Sequence, residues 1–369
     1  MRIALVHDYL NQYGGAERVL ETLMEMFPEA PVYTLLHDPA KTFGKFTDRV
    51  KKTSVLDFQF ARDNHRWFIP LMPIAAGMLD LGDEYDLVIS DTAGYAKGIK
   101  HGAKTKHISY IHTPLRYAWE TDYLNFQFSI INLQFWKPFL KPVINYLKNW
   151  DFEAGQKPNI LISNSSFIAG KVKDYYGRDS EVVYPPVDSE RFYYVPKSYD
   201  KDNTYYLAIG RLLHYKRFDL VVDAFAKLGF PLKIVGSGPE SENLKLKIEN
   251  LKSSNIELIP ASKTDDELRQ LYGGAKALIF PQVEDFGLVA AEAQACGAPV
   301  IAYAAGGALE IVQDGKTGAL FNVQTPEGLM EAVQRFEQMR FNRKSVSMAA
   351  KKFSKVNFKK QILSLVGTL

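Results

Sequence analysis

Short apolar runs recur along the chain and are separated by turn residues and by stretches with helical spacing. The runs at 2–7, 85–90, 106–112, 159–164, 181–184, 204–209, 231–235, 255–260, 277–280 and 300–303 each read as a buried strand. The best delimited unit is the strand Ala277–Phe280, a loop, a helix over about Leu288–Cys296 and the strand Val300–Tyr303. Val289, Ala293 and Cys296 mark the core face of that helix by their spacing, and Gly297 and Pro299 stop it. Strand, helix and strand in this order form a βαβ unit of a parallel sheet, and the chain reads as α/β. In such sheets ligands bind outside the carboxyl ends of the strands.

The chemistry-bearing residues cluster at those ends. Glu284 lies in the loop and Glu292 in the helix, with Phe286, Gly287 and Leu288 between them. The three bring backbone N–H groups to a helix N-terminus, which suits an anion or a hydroxyl, and Gly287 has no Cβ to keep a ligand off the main chain. An average glutamate is a solvated charge. The apolar and small residues around this pair favour a functional role. After the first strand, Gly14 and Gly15 open a helix in the manner of a phosphate-facing turn, although two glycines alone often serve a turn only. No G-x-G-x-x-G follows that strand, which disfavours a dinucleotide dehydrogenase. His112 ends a strand just before Thr113-Pro114, and His7, ending the first strand, is the weaker candidate. Arg211 and Lys216 follow a strand and Gly210; arginine can clamp two phosphate oxygens and lysine acts as a point charge. Gly236 begins a glycine turn that would let a base lie close to the main chain. Asp200-Lys201-Asp202 has the D-x-D form of a metal site but precedes a strand, so it reads as a solvated loop and no metal is expected.

Glu284-x7-Glu292 around Phe286-Gly287-Leu288, then Gly297-Ala298-Pro299-Val300-Ile301 and Gly306-Gly307, resembles the retaining glycosyltransferases of family 4. The resemblance is strong in the second half of the chain and loose in the first. It implies the GT-B fold: two Rossmann-like α/β domains facing across a cleft, with a nucleotide-sugar donor held mainly by the second. It implies that Arg211 and Lys216 hold the donor diphosphate, with Gly14 and Gly15 facing it. By the same resemblance Glu284, Phe286, Gly287 and Leu288 hold the sugar, and Glu292 the ribose. Pro260 and Lys263 become base contacts with Gly236, and His112 lies near the donor sugar and acceptor. His112, Arg211, Lys216 and Glu284 form the expected catalytic set. Asp285 stands where the family usually has glycine, as in its mannosyltransferase members, and shifts the donor expectation to GDP-mannose. No cofactor is expected beyond that donor; the acceptor is a glycan or lipid-linked saccharide of cell-surface polysaccharide synthesis. The rivals are a UDP-sugar enzyme of the same fold and a non-catalytic, sugar-nucleotide-binding scaffold subunit.

Length and composition bound this reading without sharpening it. A chain of 369 residues suits two α/β domains, here 1–186 and 187–350, and the resemblance implies that 351–369 forms a helix crossing back to the first. A net charge of +3 is too small to imply a nucleic-acid partner. Cys296 is the only cysteine, which fits a reducing compartment, and no apolar run approaches a spanning helix or a signal peptide. A cytoplasmic location is expected, or the inner membrane face. The stretch 119–150 interleaves aromatic residues with Lys137, Lys141 and Lys148; peripheral membrane contact, and packing on the first domain's sheet or an acceptor-side lid, explain it equally well.

Overall fold

The computed structural model describes residues 1–120, 137–196, 205–261 and 264–369, with backbone alone for 137–140. Lys263, Asp200-Lys201-Asp202 and the middle of the aromatic stretch, 121–136, lie outside the described residues. The chain divides into two compact units: Met1–Tyr184 with Lys359–Leu369, and Pro185–Phe358.

In the first unit seven strands form one parallel sheet among the described residues. They are β1 (Ile3–Leu10), β2 (Val32–His37), β3 (Val50–Thr53), β4 (Leu87–Thr92), β5 (Lys106–Ile111), β6 (Ile160–Ser163) and β7 (Glu181–Val182), in the order β3-β2-β1-β4-β5-β6-β7. The second unit repeats the plan with β8 (Tyr205–Ile209), β9 (Leu232–Val235), β10 (Ile256–Ile259), β11 (Ala275–Phe280), β12 (Val300–Tyr303) and β13 (Gly318–Phe321), in the order β10-β9-β8-β11-β12-β13. Both are Rossmann-like, with the strand order reversing beside the first strand. Their switch points lie between β1 and β4 and between β8 and β11, where a crevice opens at the strands' carboxyl ends. The strands β2, β3 and β13 were absent from the sequence reading.

The core of the second unit joins the sheet (Ala208, Ile234, Ile279, Ile301) to the helices Phe218–Leu228 and Pro326–Glu337 through Leu220, Phe225, Leu329 and Val333. Each of the larger side chains contributes about 1.5–3 kcal/mol by leaving water. On the helix Leu288–Ala295 the apolar stripe expected from spacing gives way to burial nearly all round. Ala290 to Gln294 are all buried, because the helix packs against the sheet, the helix Asp265–Gly274 and the helix Arg343–Ala349. Val289, assigned to the core face, is half-buried. The last helix, Lys355–Val366, starts in the second unit and its residues from Lys359 onward belong to the first, where Lys359 pairs with Glu25 at 3.0 Å. Among the described residues no helix is long and apolar enough to cross a membrane.

Candidate functional site

In the second unit the switch point carries an ion pair. Lys216, on a short 3-10 turn after β8, places Nζ 2.7 Å from Glu284 Oε1, on the loop after β11. Burial by itself would lower the lysine pKa, but the Glu284 charge outweighs it and the pKa is raised, so Lys216 stays a cation although it is 8% exposed. Gln282 Nε2 donates to the same Glu284 oxygen at 3.2 Å. Gly210 leaves the room this requires, since a Cβ there would stand 3.1 Å from the Lys216 ammonium. Arg211 is exposed next to it, and its charge acts on Lys216 with the opposite sign to that of Glu284.

The loop that carries Glu284 is held by its backbone. Gly287 sits in the left-handed region (φ 102°, ψ 56°) as the N-cap of the helix Leu288–Ala295, and a Cβ on it would meet the Phe280 ring at 2.9 Å. The first N–H groups of a helix lack an intrahelical acceptor in general, and here the Ala290 N–H already donates to the Gly287 carbonyl at 2.9 Å. The Phe286 ring is buried against Phe353, with centroids 5.3 Å apart, so this residue offers a ligand its main chain only. Gly306 and Gly307 follow β12 and press on the same loop: Gly307 N–H donates to the Glu284 carbonyl at 2.9 Å, and a Cβ on Gly307 would stand 2.4 Å from Phe286 Cα. Gly307→Ala is therefore expected to push the loop outward and lower turnover by about tenfold, with a loss of stability of about 1–3 kcal/mol. Steady-state kinetics alongside thermal melting check it, and unchanged values in both would show that the loop tolerates the shift.

Other expected donor contacts lie in different surroundings. Glu292 is 3% exposed and accepts a hydrogen bond from the buried Tyr272 hydroxyl at 3.2 Å. Gly236 has its missing side chain replaced by protein, since a Cβ would lie 2.0 Å from the Gly210 carbonyl oxygen; the glycine lets the turns after β8 and β9 meet. Pro260 is exposed after β10 and lines a recess with Tyr205, Lys233 and Glu267.

In the first unit the switch point gathers residues that sequence reasoning took singly or missed. His112 follows β5, and its Nε2 lies 2.6 Å from Asp91 Oδ1 near the end of β4. The other Asp91 oxygen is 2.9 Å from His7 Nδ1 on β1, and His7 Nε2 is 3.6 Å from Glu17 Oε1. Glu17 also accepts the N–H of Gly14 at 2.7 Å, in a capping box at the start of the helix Gly15–Met26. Gly14 is half-buried and Gly15 exposed. The signal for Asp91 was its place at the end of a buried strand, and for Glu17 its place three residues after a Gly–Gly helix start.

Two Rossmann-like units in one chain, each with polar groups at its switch point, define the GT-B class. The family model of glycosyltransferase family 4 matches residues 13–191, and that of glycosyl transferases group 1 matches residues 194–353. Together they take in the chain apart from its two ends and residues 192 and 193 between them, and the chain belongs to these glycosyltransferases. It is 32% identical over 200 residues to an uncharacterised glycosyltransferase of Methanocaldococcus jannaschii, covering 53% of this chain and 54% of that protein. It is 33% identical over 178 residues to a D-inositol 3-phosphate glycosyltransferase of Mycobacterium sp. (strain KMS), covering 43% and 40%. The matches thus span about half or less of the length of these curated relatives. Among solved structures, the fold is similar to that of HepE from Anabaena, crystallised with UDP (TM-score 0.74, 20% identity, all of both chains). It is also similar to that of a sucrose-phosphate synthase from Thermosynechococcus elongatus (TM-score 0.76, 16% identity, 100% of this chain and 99% of that one).

Proposed function

We propose that the protein is a metal-independent, retaining hexosyltransferase that moves mannose from GDP-mannose to a glycan or lipid-linked saccharide in cell-surface polysaccharide synthesis. It would work in the cytoplasm or on the inner face of the membrane. The observation that carries this reading is the Lys216–Glu284 pair at 2.7 Å on the switch point of the second unit, next to the helix start at Gly287. Lys216 and Arg211 neutralise the diphosphate as it leaves, and the N–H groups after Gly287 hold sugar hydroxyls; such electrostatic stabilisation is often the largest catalytic term. Glu292 is assigned to the ribose and His112 to the reacting sugar and acceptor. The acceptor oxygen bonds to the anomeric carbon on the face from which the diphosphate departs, and its proton passes to the departing phosphate oxygen. Glu284 is tied to a lysine, which disfavours it as the nucleophile of a glycosidase-like double displacement. A UDP-sugar donor is the second reading, favoured by the UDP-bound state of the similar HepE structure.

Thermal unfolding with GDP-mannose, GDP, UDP-glucose and UDP-GlcNAc tests the proposal. A donor at 100 times its dissociation constant stabilises by about 2.7 kcal/mol. Protection by the guanine compounds, lost in Arg211→Ala, is the expected result. Protection by uracil compounds alone would replace the donor, protection without turnover would favour a non-catalytic, sugar-nucleotide-binding scaffold, and protection by none would remove the donor site itself.

A further inference from the structure

We propose that Asp91, His7 and Glu17 form a buried positioning relay, which fixes the ring nitrogen that His112 offers to the reacting sugar and ties His112 to the Gly14–Gly15 turn. The proposal rests on the glycosyl-transfer reading of the site. Its geometry is one continuous chain of contacts. Gly14 N–H donates to Glu17 at 2.7 Å, Glu17 faces His7 at 3.6 Å, His7 meets Asp91 at 2.9 Å and Asp91 meets His112 at 2.6 Å. Asp91 is fully buried, His7 is 3% exposed and Glu17 is 2% exposed, while the His112 side chain retains 13% exposure. Of the four side chains in the relay, that of His112 is therefore the one most open to solvent, while the Gly14 end of the chain is half-buried.

An ionised carboxylate accepts hydrogen bonds and donates none. Burial alone would raise the Asp91 pKa, but the charge and hydrogen bond of His112, with those of His7, hold it below the usual carboxylate value. Asp91 thus requires a proton on His112 Nε2 and on His7 Nδ1. A neutral His112 then has its lone pair on Nδ1, where it can accept a hydrogen bond from a hydroxyl of the reacting sugar or acceptor. His7 faces a second carboxylate through its other nitrogen. Burial would strip its proton, but Asp91 and Glu17 outweigh burial and keep its pKa up at about 10. The resulting imidazolium compensates two buried carboxylates. Other groups near His7 do not compete. Asp8, next on β1, points to the opposite face and is occupied by the N–H groups of Ala93, Tyr95 and Ala96, and on β2 the register partner of His7 is Thr34. The Tyr110 ring packs edge-on to His112, with centroids 5.2 Å apart.

Nitrogen-15 spectra of the full chain labelled at its seven histidines test the relay without turnover, with His7→Asn and His112→Asn assigning the signals. At about pH 8 the wild-type protein should show His7 doubly protonated and His112 protonated at Nε2. In Asp91→Asn the amide can donate to Nε2 and release the proton to Nδ1. The expected result is a switched His112 tautomer and a kcat lowered by about 100-fold or more, with the donor KM unchanged. Glu17→Gln should lower the His7 pKa by about one unit or more and leave the His112 tautomer as it was. The folded pKa of His7 lies above its ordinary 6.5, so its stabilisation is complete below about pH 6.5 and fades as pH rises through about 10. A His112 tautomer and kcat unchanged in folded Asp91→Asn would overturn the relay. If that variant does not fold, a wild-type His7 that is neutral at about pH 8 would overturn it. Inactivity of the wild-type chain would strike the functional reading alone.

Discussion

Lys216→Ala is expected to lower kcat/KM for sugar transfer by about 100-fold or more. Two losses combine. The diphosphate loses a cation that is largely shielded from water, and hydrogen bonds to charged groups contribute about 1.5–3 kcal/mol each. Glu284, whose side chain is 19% exposed, is also left with a charge that its 2.7 Å partner no longer balances. Its loop should move, so part of the defect should appear in kcat as misplacement of the sugar. Lys216→Arg should not restore activity, because the ammonium fills a space that only Gly210 leaves open and a guanidinium is larger and planar. Lys247→Ala is the control: Lys247 pairs with Asp223 at 2.6 Å on the surface, and such pairs contribute about 0–1 kcal/mol. Initial rates over a range of donor concentrations decide the matter. A Lys216→Ala enzyme within about threefold of the parent would remove this lysine from the mechanism.

The largest effect on stability is expected from Lys97→Met. Lys97 Nζ lies 2.6 Å from Asp151 Oδ1, with both side chains fully buried, and it also donates to the Gly94 carbonyl. Asp151 further accepts from Trp119 Nε1 at 2.8 Å, the Tyr176 hydroxyl at 2.8 Å and the Leu115 N–H at 3.3 Å. This one carboxylate therefore ties the loop after β4 and the turn after β5 to the helices Lys137–Gln156 and Ser166–Tyr176. Removing the lysine leaves an uncompensated buried charge, at a cost of about 3–5 kcal/mol. The melting temperature of the first unit should fall by about 10 °C, read from near-ultraviolet dichroism of Trp119 and Trp150. Lys97→Met with Asp151→Leu should recover part of the loss, since an apolar pair of similar volume avoids burying the charge. A Lys97→Met protein that melts with the parent would mean that the pair contributes nothing net.

Much of the fold was legible because its signals are local. Apolar runs marked the central strands, and Gly–Gly and Gly–Pro punctuation marked where helices start and stop. Ser165, a residue type that favours helix N-caps, caps the helix Ser166–Tyr176 by accepting the Ile168 N–H at 3.1 Å. The edge strand β3 was missed because its run is short and half-exposed, β13 because its buried run is only four residues long and starts on a glycine, and β2 because it lies outside the runs singled out. Glu292, one position before Ala293, lies off the centre of the expected core stripe, on its rim. Tertiary packing buries that rim, because neighbouring helices cover faces that a single helix leaves to solvent.

The sequence by itself determined the α/β alternation, the parallel βαβ logic and the strand ends that carry Lys216, Glu284, Gly287 and His112. These follow from periodicity and turn chemistry within a few residues of each position. Only the tertiary structure decided which charges meet. Asp91 joins His7, 84 positions earlier, to His112, 21 positions later, because β1, β4 and β5 lie side by side in the sheet. Lys216 finds Glu284 because β8 neighbours β11. Strand order is set by the crossover helices and the packing of the whole layer, and no local pattern of apolar and polar residues encodes it.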